Sequence, residues 1–134
     1  MSLDRWVRPL AAFENPLEGV LHQMDTHIGG SPANILKFGC PLNNLAQEMA
    51  PVDAGFKKRI QAALDEWISE TAVFIQQAQD RGILKKHLKA REIAQFIVMS
   101  HEGFFGMIKG TGDKELYQSL IKSLGCYFHT LEQR

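Results

Sequence analysis

The stretch that most limits what this chain can become is residues 90–110, AREIAQFIVMSHEGFFGMIKG. Its apolar residues do not alternate as a strand would; they recur at the three-and-four spacing of a helix. Placed at about 100° per residue, Arg91, Gln95, Glu102 and Lys109 fall in one narrow polar strip. Phe96, Met107, Ile93, Phe104, Ile97, Ile108, Ala94, Phe105 and Val98 fill an apolar arc of roughly 200°, about twice what a helix lying on one core needs. Ser100 and His101 are the polar interruptions in that arc. Gly103, Gly106 and Gly110 lie between arc and strip, on a side with little bulk. Such a helix needs cover on more than one flank. The chain's own fold covers one, and a second copy of the chain is the expected cover for the other. The plainer alternative is a core helix in a single molecule.

The remaining segments are helical by the same spacing. Trp6, Val7, Leu10, Ala11 and Phe13 form a short apolar opening broken by Pro9. Asn15-Pro16-Leu17-Glu18 is a helix start: Asn15 accepts from free backbone N–H groups, and Pro16 sits where no N–H is needed. Leu17, Val20, Leu21, Met24 and Ile28 follow on one face, and Gly29-Gly30-Ser31-Pro32 ends it. Residues 35–38 lead into a short helix opened by Pro41, with Leu42, Leu45, Ala46 and Met49 on one face and Pro51 after it. Asp53 caps the longest helix, residues 53–81, about 40 Å at 1.5 Å per residue. Gly82 stops it, and Ile83 stands where such stops make an apolar contact. The central helix starts without Ser, Thr, Asp or Asn immediately before Ala90. Gly110-Thr111-Gly112-Asp113 is a tight connection with Asp113 as cap. The last helix carries Leu116, Tyr117, Leu120, Ile121, Leu124, Tyr127, Phe128 and Leu131. The fold expected is all-α, with five or six helices in one domain over residues 1–134 and the last two joined as an antiparallel hairpin. Met1-Ser2-Leu3 reads as a vector remnant.

Composition narrows the function classes. Lys+Arg and Asp+Glu are both 15, and no large basic cluster exists, which argues against nucleic-acid contact by this chain itself. Apolar runs are too short to span a membrane, and no charged-then-apolar leader opens the chain. Cys40 and Cys126, without CxxC spacing, read as two free thiols of a cytoplasmic protein rather than a disulfide.

Catalysis and metal binding find little support. There is no nucleophile elbow, phosphate loop, zinc-protease or dinucleotide motif. His22 and Asp25 share a helix face, but His27 points about 140° from His22, out of register for a third metal ligand. Cys40 stands at a helix N-terminus, where a dipole can lower a thiol's pKa, yet no acid or histidine adjoins it, so a packed, inert cysteine is expected. No catalytic residue, metal or cofactor is assigned.

Two sets of residues read as binding surfaces. Trp67, Thr71 and Phe74 on the long helix, Ser100, His101 and Phe104 on the central one, and Met24 and Asn44 on the shorter ones have the composition of a pocket between helices. Simple core packing is the plainer use of the same side chains. Gly103, Gly106 and Gly110 permit close backbone approach on one flank of the central helix. Phe105 and Ile108, joined by Leu120, Leu124 and Phe128, supply area on another, with Glu102 at the rim. These flanks point apart, and the bulky one is expected to face a two-fold partner in a four-helix interface.

The run Gly39-Cys40-Pro41-Leu42-Asn43-Asn44-Leu45-Ala46-Gln47-Glu48 resembles the GCPLxNLAxE signature in the C-terminal regulatory domain of TetR/AcrR-type transcriptional repressors. The amphipathic helix around Trp67, the Gly82-Ile83-Leu84 turn, the helix of Glu92-Ile93-Ala94 and Gly103, and the final helix agree in order, over about residues 5–132. Leu88-Lys89-Ala90 departs from the family's usual capped start to the central helix. The resemblance implies a homodimer made by the last two helices, a small-molecule effector pocket among the preceding ones, and DNA reading by a helix-turn-helix domain before residue 1. Residues 6–13 would then end the helix that links the two halves. A stand-alone helical enzyme or carrier with an apolar pocket is the alternative the residues leave open.

Overall fold

The computed structural model describes residues 4–32 and 37–134. Met1-Ser2-Leu3 and the beginning of the expected lead-in at residues 35–38 lie outside the described residues. Among the described residues six α-helices follow one another: α1 Asp4–Val7, α2 Pro16–Met24, α3 Pro41–Glu48, α4 Ala54–Asp80, α5 Ala90–Thr111 and α6 Leu116–Leu131. A 3-10 turn, Arg8–Ala12, continues α1, and a π-turn, Asp25–Gly29, continues α2. No strand appears among the described residues, so the all-α expectation holds; one isolated antiparallel bridge joins Leu84 and Glu132.

The helix ends follow the local chemistry. The Asn15 side-chain oxygen Oδ1 accepts from the Leu17 N–H at 3.0 Å, and an Asp53 carboxylate oxygen accepts from Phe56 N–H at 3.0 Å. Gly82 takes φ +78° after α4. Ile83 N–H reaches back to the Ala78 carbonyl at 2.9 Å and Gly82 N–H to Gln79 at 3.0 Å, which closes the exposed end of the helix. The start of α5 has no side-chain cap, as its sequence implies. Its approach is held from the side instead: the buried Gln79 amide donates to the carbonyls of Lys85 at 2.9 Å and Leu88 at 2.6 Å. Asp113 accepts from the N–H groups of Glu115 and Leu116, opening α6.

The core lies where α4 and α5 pack along their length, with α1, α2 and α6 closing over them. Trp67, Ile75, Ile93, Ile97, Phe104, Tyr117, Leu124 and Phe128 are buried there. Each such side chain removed from water contributes about 1.5–3 kcal/mol. Arg91 ties α5 back to α4, donating to Asp65 at 2.5 Å and to Ser69 at 3.0 Å. The Tyr117 hydroxyl donates to the Asp25 carboxylate and joins α6 to the π-turn. Burial, with Asp25 adding, pushes that hydroxyl above the usual phenol range. Gly19 is where the 3-10 turn crosses α2: a Cβ there would stand 2.9 Å from both Leu10 and Phe13.

This arrangement answers the question posed by the wide apolar arc. Within the single chain Ile93, Ala94, Ile97, Val98, Phe104 and Ile108 are already buried. Phe96, Met99 and Met107 stay open, at 38%, 57% and 48% exposure.

Candidate functional site

A small hollow lies where five segments converge. Trp6 comes from α1 and Leu10 from the 3-10 turn; Gln23 and Met24 come from α2; Trp67 and Thr71 belong to α4, and Ile97 and His101 to α5. Its volume is about 10 Å³, roughly what one water molecule needs. The Trp6 ring lies edge-to-face on His101, centroids 3.9 Å apart at 82°. Trp67 meets the same imidazole at 4.6 Å and 81°, and Phe105 at 5.0 Å. His101 is thus boxed in by three aromatic rings and is 1% exposed.

Its protonation follows from its neighbours. Nδ1 lies 2.9 Å from a Glu102 carboxylate oxygen. A carboxylate oxygen accepts, so Nδ1 carries the proton. Burial lowers the pKa of the imidazole, against the smaller opposing pull of Glu102. Nε2 is buried with no hydrogen-bond partner among the described residues. Beside it runs a second histidine chain. The Arg5 guanidinium donates to Nδ1 of His27 at 2.8 Å, and His27 Nε2–H donates to the Gln23 side-chain oxygen Oε1 at 3.1 Å. Burial first, then the Arg5 charge, lowers the His27 pKa as well.

Of the eight side chains expected to line a pocket, the structure brings Met24, Trp67, Thr71 and His101 together on this wall. The others lie elsewhere. Phe104 is buried against Tyr117, rings 6.3 Å apart. The Ser100 hydroxyl turns to its own helix, donating to the Phe96 carbonyl at 2.7 Å. Asn44 donates to the Phe38 carbonyl at 2.6 Å and accepts from Lys109 at 2.9 Å. Phe74 is half-buried against the core, off the hollow. Sequence reasoning missed Trp6, Leu10, Val20, Gln23 and Ile97. The signal for the first two was the Trp6/Leu10 spacing of the opening stretch, four residues apart and so on one helical face.

The Glu102 side chain is mostly buried within the chain, bonded to His101, and it borders a shallow apolar groove of about 290 Å³ between α3, α4 and α5. Leu42, Leu64, Ile68 and Met99 form the walls of that groove. The His101–Glu102 pair therefore stands between groove and hollow.

Part of the bulky flank expected to face a partner is taken up inside the chain. Ile108, Leu124 and Phe128 are buried in the chain's own core, because α5 and α6 turn those faces toward α2 and α4 rather than outward. Phe105 and Leu120 are half-buried against the same core. Gly103 and Gly106, the small-residue flank, are exposed, and a Cβ at Gly103 would meet nothing within 4 Å.

Neither Cys40 nor Cys126 is in a disulfide. Burial, the largest influence, pushes Cys40 up to about 11, opposite to an activated thiol. Among the described residues no group of three or more His, Cys, Asp or Glu is placed to hold a metal ion, and no helix is long and apolar enough to cross a membrane.

The structure is thus an all-α domain with aromatic rings and buried polar side chains gathered at a hollow between helices, the place where helical domains build binding sites. The chain belongs to the family described as tetracyclin repressor-like, C-terminal domain, whose model matches residues 16–124. No curated protein and no solved structure matched the chain.

Proposed function

We propose that this chain is the effector-sensing and dimerisation domain of a cytoplasmic transcriptional repressor, with DNA read by a helix-turn-helix domain preceding residue 1. One observation carries the reading: the hollow is walled by Trp6, on the segment that would lead to that domain. Trp67 and His101 sit on the two longest helices and are fixed by the core. Trp6 sits on a four-residue helix, so it is the wall that yields most readily. A hollow of about 10 Å³ is too small for an organic effector, and binding one displaces the indole. Effector binding then favours the displaced placement of residues 4–12 by its difference in affinity for the two states. In a dimer that shift alters the separation of two reading domains, which must match half-sites about 34 Å apart.

Pairing is proposed through α5 and α6. The open strip of α5, with Met99, Gly103, Gly106 and Met107, is the surface that supports it best. Sedimentation at micromolar concentration is expected to give a dimer, and a monomer overturns the pairing. For the sensing role, Trp6→Ala enlarges the hollow. Calorimetry with indole is expected to show tighter binding to Trp6→Ala than to the unaltered chain. Equal or weaker affinity overturns Trp6 as the yielding wall.

A further inference from the structure

His101 holds one ring nitrogen that the fold leaves over. Its Nδ1–H is hydrogen-bonded to Glu102 at 2.9 Å, and the ring is neutral because burial disfavours the charged form. Nε2 therefore keeps a bare lone pair, buried and without a partner among the described residues. Buried acceptors in folded proteins are nearly always satisfied, and an exception calls for an occupant. The rings nearest the imidazole are Trp6, Trp67 and Phe105, which meet it as ring contacts. The hollow that His101 borders has room for about one water, the smallest donor that fits. Its other walls are largely apolar, Met24, Leu10 and Ile97 among them.

Resting on the effector-pocket reading above, we propose that the ligand is a small, flat, largely apolar molecule bearing one hydrogen-bond donor, a hydroxyl or ring N–H, given to Nε2 of His101. An anionic headgroup is disfavoured there, because it would face a lone pair with the Glu102 carboxylate on the other side of the ring. A molecule of the same shape without a donor leaves Nε2 orphaned and loses affinity.

The test has two arms on the full chain. Long-range ¹⁵N NMR of the histidine rings is expected to find His101 protonated at Nδ1 and unprotonated at Nε2. A protonated Nε2 overturns the inference whatever the ligands do. Calorimetry then compares indole with N-methylindole and phenol with anisole. Each donor is expected to bind at least about tenfold tighter than its methylated partner and to move the Nε2 resonance. His101→Phe is expected to erase that preference, and His101→Gln, which keeps an acceptor, to retain part of it. Equal binding within both pairs by the unaltered chain overturns the donor inference and leaves the pocket reading standing. Failure of all four probes to bind overturns the pocket reading, and the donor inference with it.

Discussion

Replacing Gly103 by glutamine separates what α5 does in one molecule from what it does in two. In the single chain a Cβ at this position meets no atom within 4 Å. The added side chain enters solvent, and a strong helix former replaces the weakest one short of proline. That gain is about 0.5–1 kcal/mol, which raises the melting temperature of a domain this size by about 2–5 °C. In the proposed dimer the same side chain is driven into a close approach of two helices. Overpacking of that kind costs about 1–3 kcal/mol. Since 1.4 kcal/mol is tenfold, the dimer dissociation constant rises roughly 5- to 150-fold. Sedimentation equilibrium over a concentration series reads the second effect, and thermal melts at the lowest concentration read the first. A raised melting temperature with an unchanged dissociation constant refutes the assignment of this flank to the partner.

Gly82→Ala is expected to destabilise the fold by about 1–2 kcal/mol; the site has open space but φ +78°, so the cost is backbone strain, visible as a lower urea midpoint. Alkylation at pH 8 is expected to modify exposed Cys126 and spare Cys40, buried with its thiol at about 11; mass spectrometry showing equal labelling would contradict this. The buried His101 has its pKa lowered from the ordinary 6.5. Between the two values the unfolded chain binds the extra proton, so stability falls as pH drops below about 6.5, by up to about 1.4 kcal/mol per unit. His27 acts in the same direction. Urea titrations at stepped pH are expected to show this slope, and His101→Gln to flatten it.

Much of the fold was legible because its boundaries are written in local chemistry. Asn15, Asp53 and Gly82 each do in the structure what their side chains, or the lack of one, dictate. The π-turn at Asp25–Gly29 was not legible, since one extra residue per turn leaves Met24 and Ile28 still four apart and both buried. The site was half legible. Trp67, Thr71 and His101 share the hollow because the faces of two long, regular helices can be read from spacing alone. Asn44 fell away because α3 is short and its placement is set by contacts that spacing does not encode. Ser100 fell away because a serine inside a helix can satisfy itself on the carbonyl four residues back. The width of the apolar arc on α5 is partly used up within the chain itself. A helix crossed by several neighbours from its own chain needs the same width as one that meets a second molecule, so Ile108, Leu124 and Phe128 went inward.

The corner where the first segment ends is fastened from three sides. Arg81 donates to the Glu14 carbonyl at 2.7 Å, Asn15 reaches Glu132 at 3.4 Å, and the Leu84–Glu132 bridge holds the chain's end beside both. Trp6 stands at the opposite end of that segment. In the sensing mechanism proposed above, displacement of the indole would swing residues 4–12 about that fastened corner, the shift growing with distance from it.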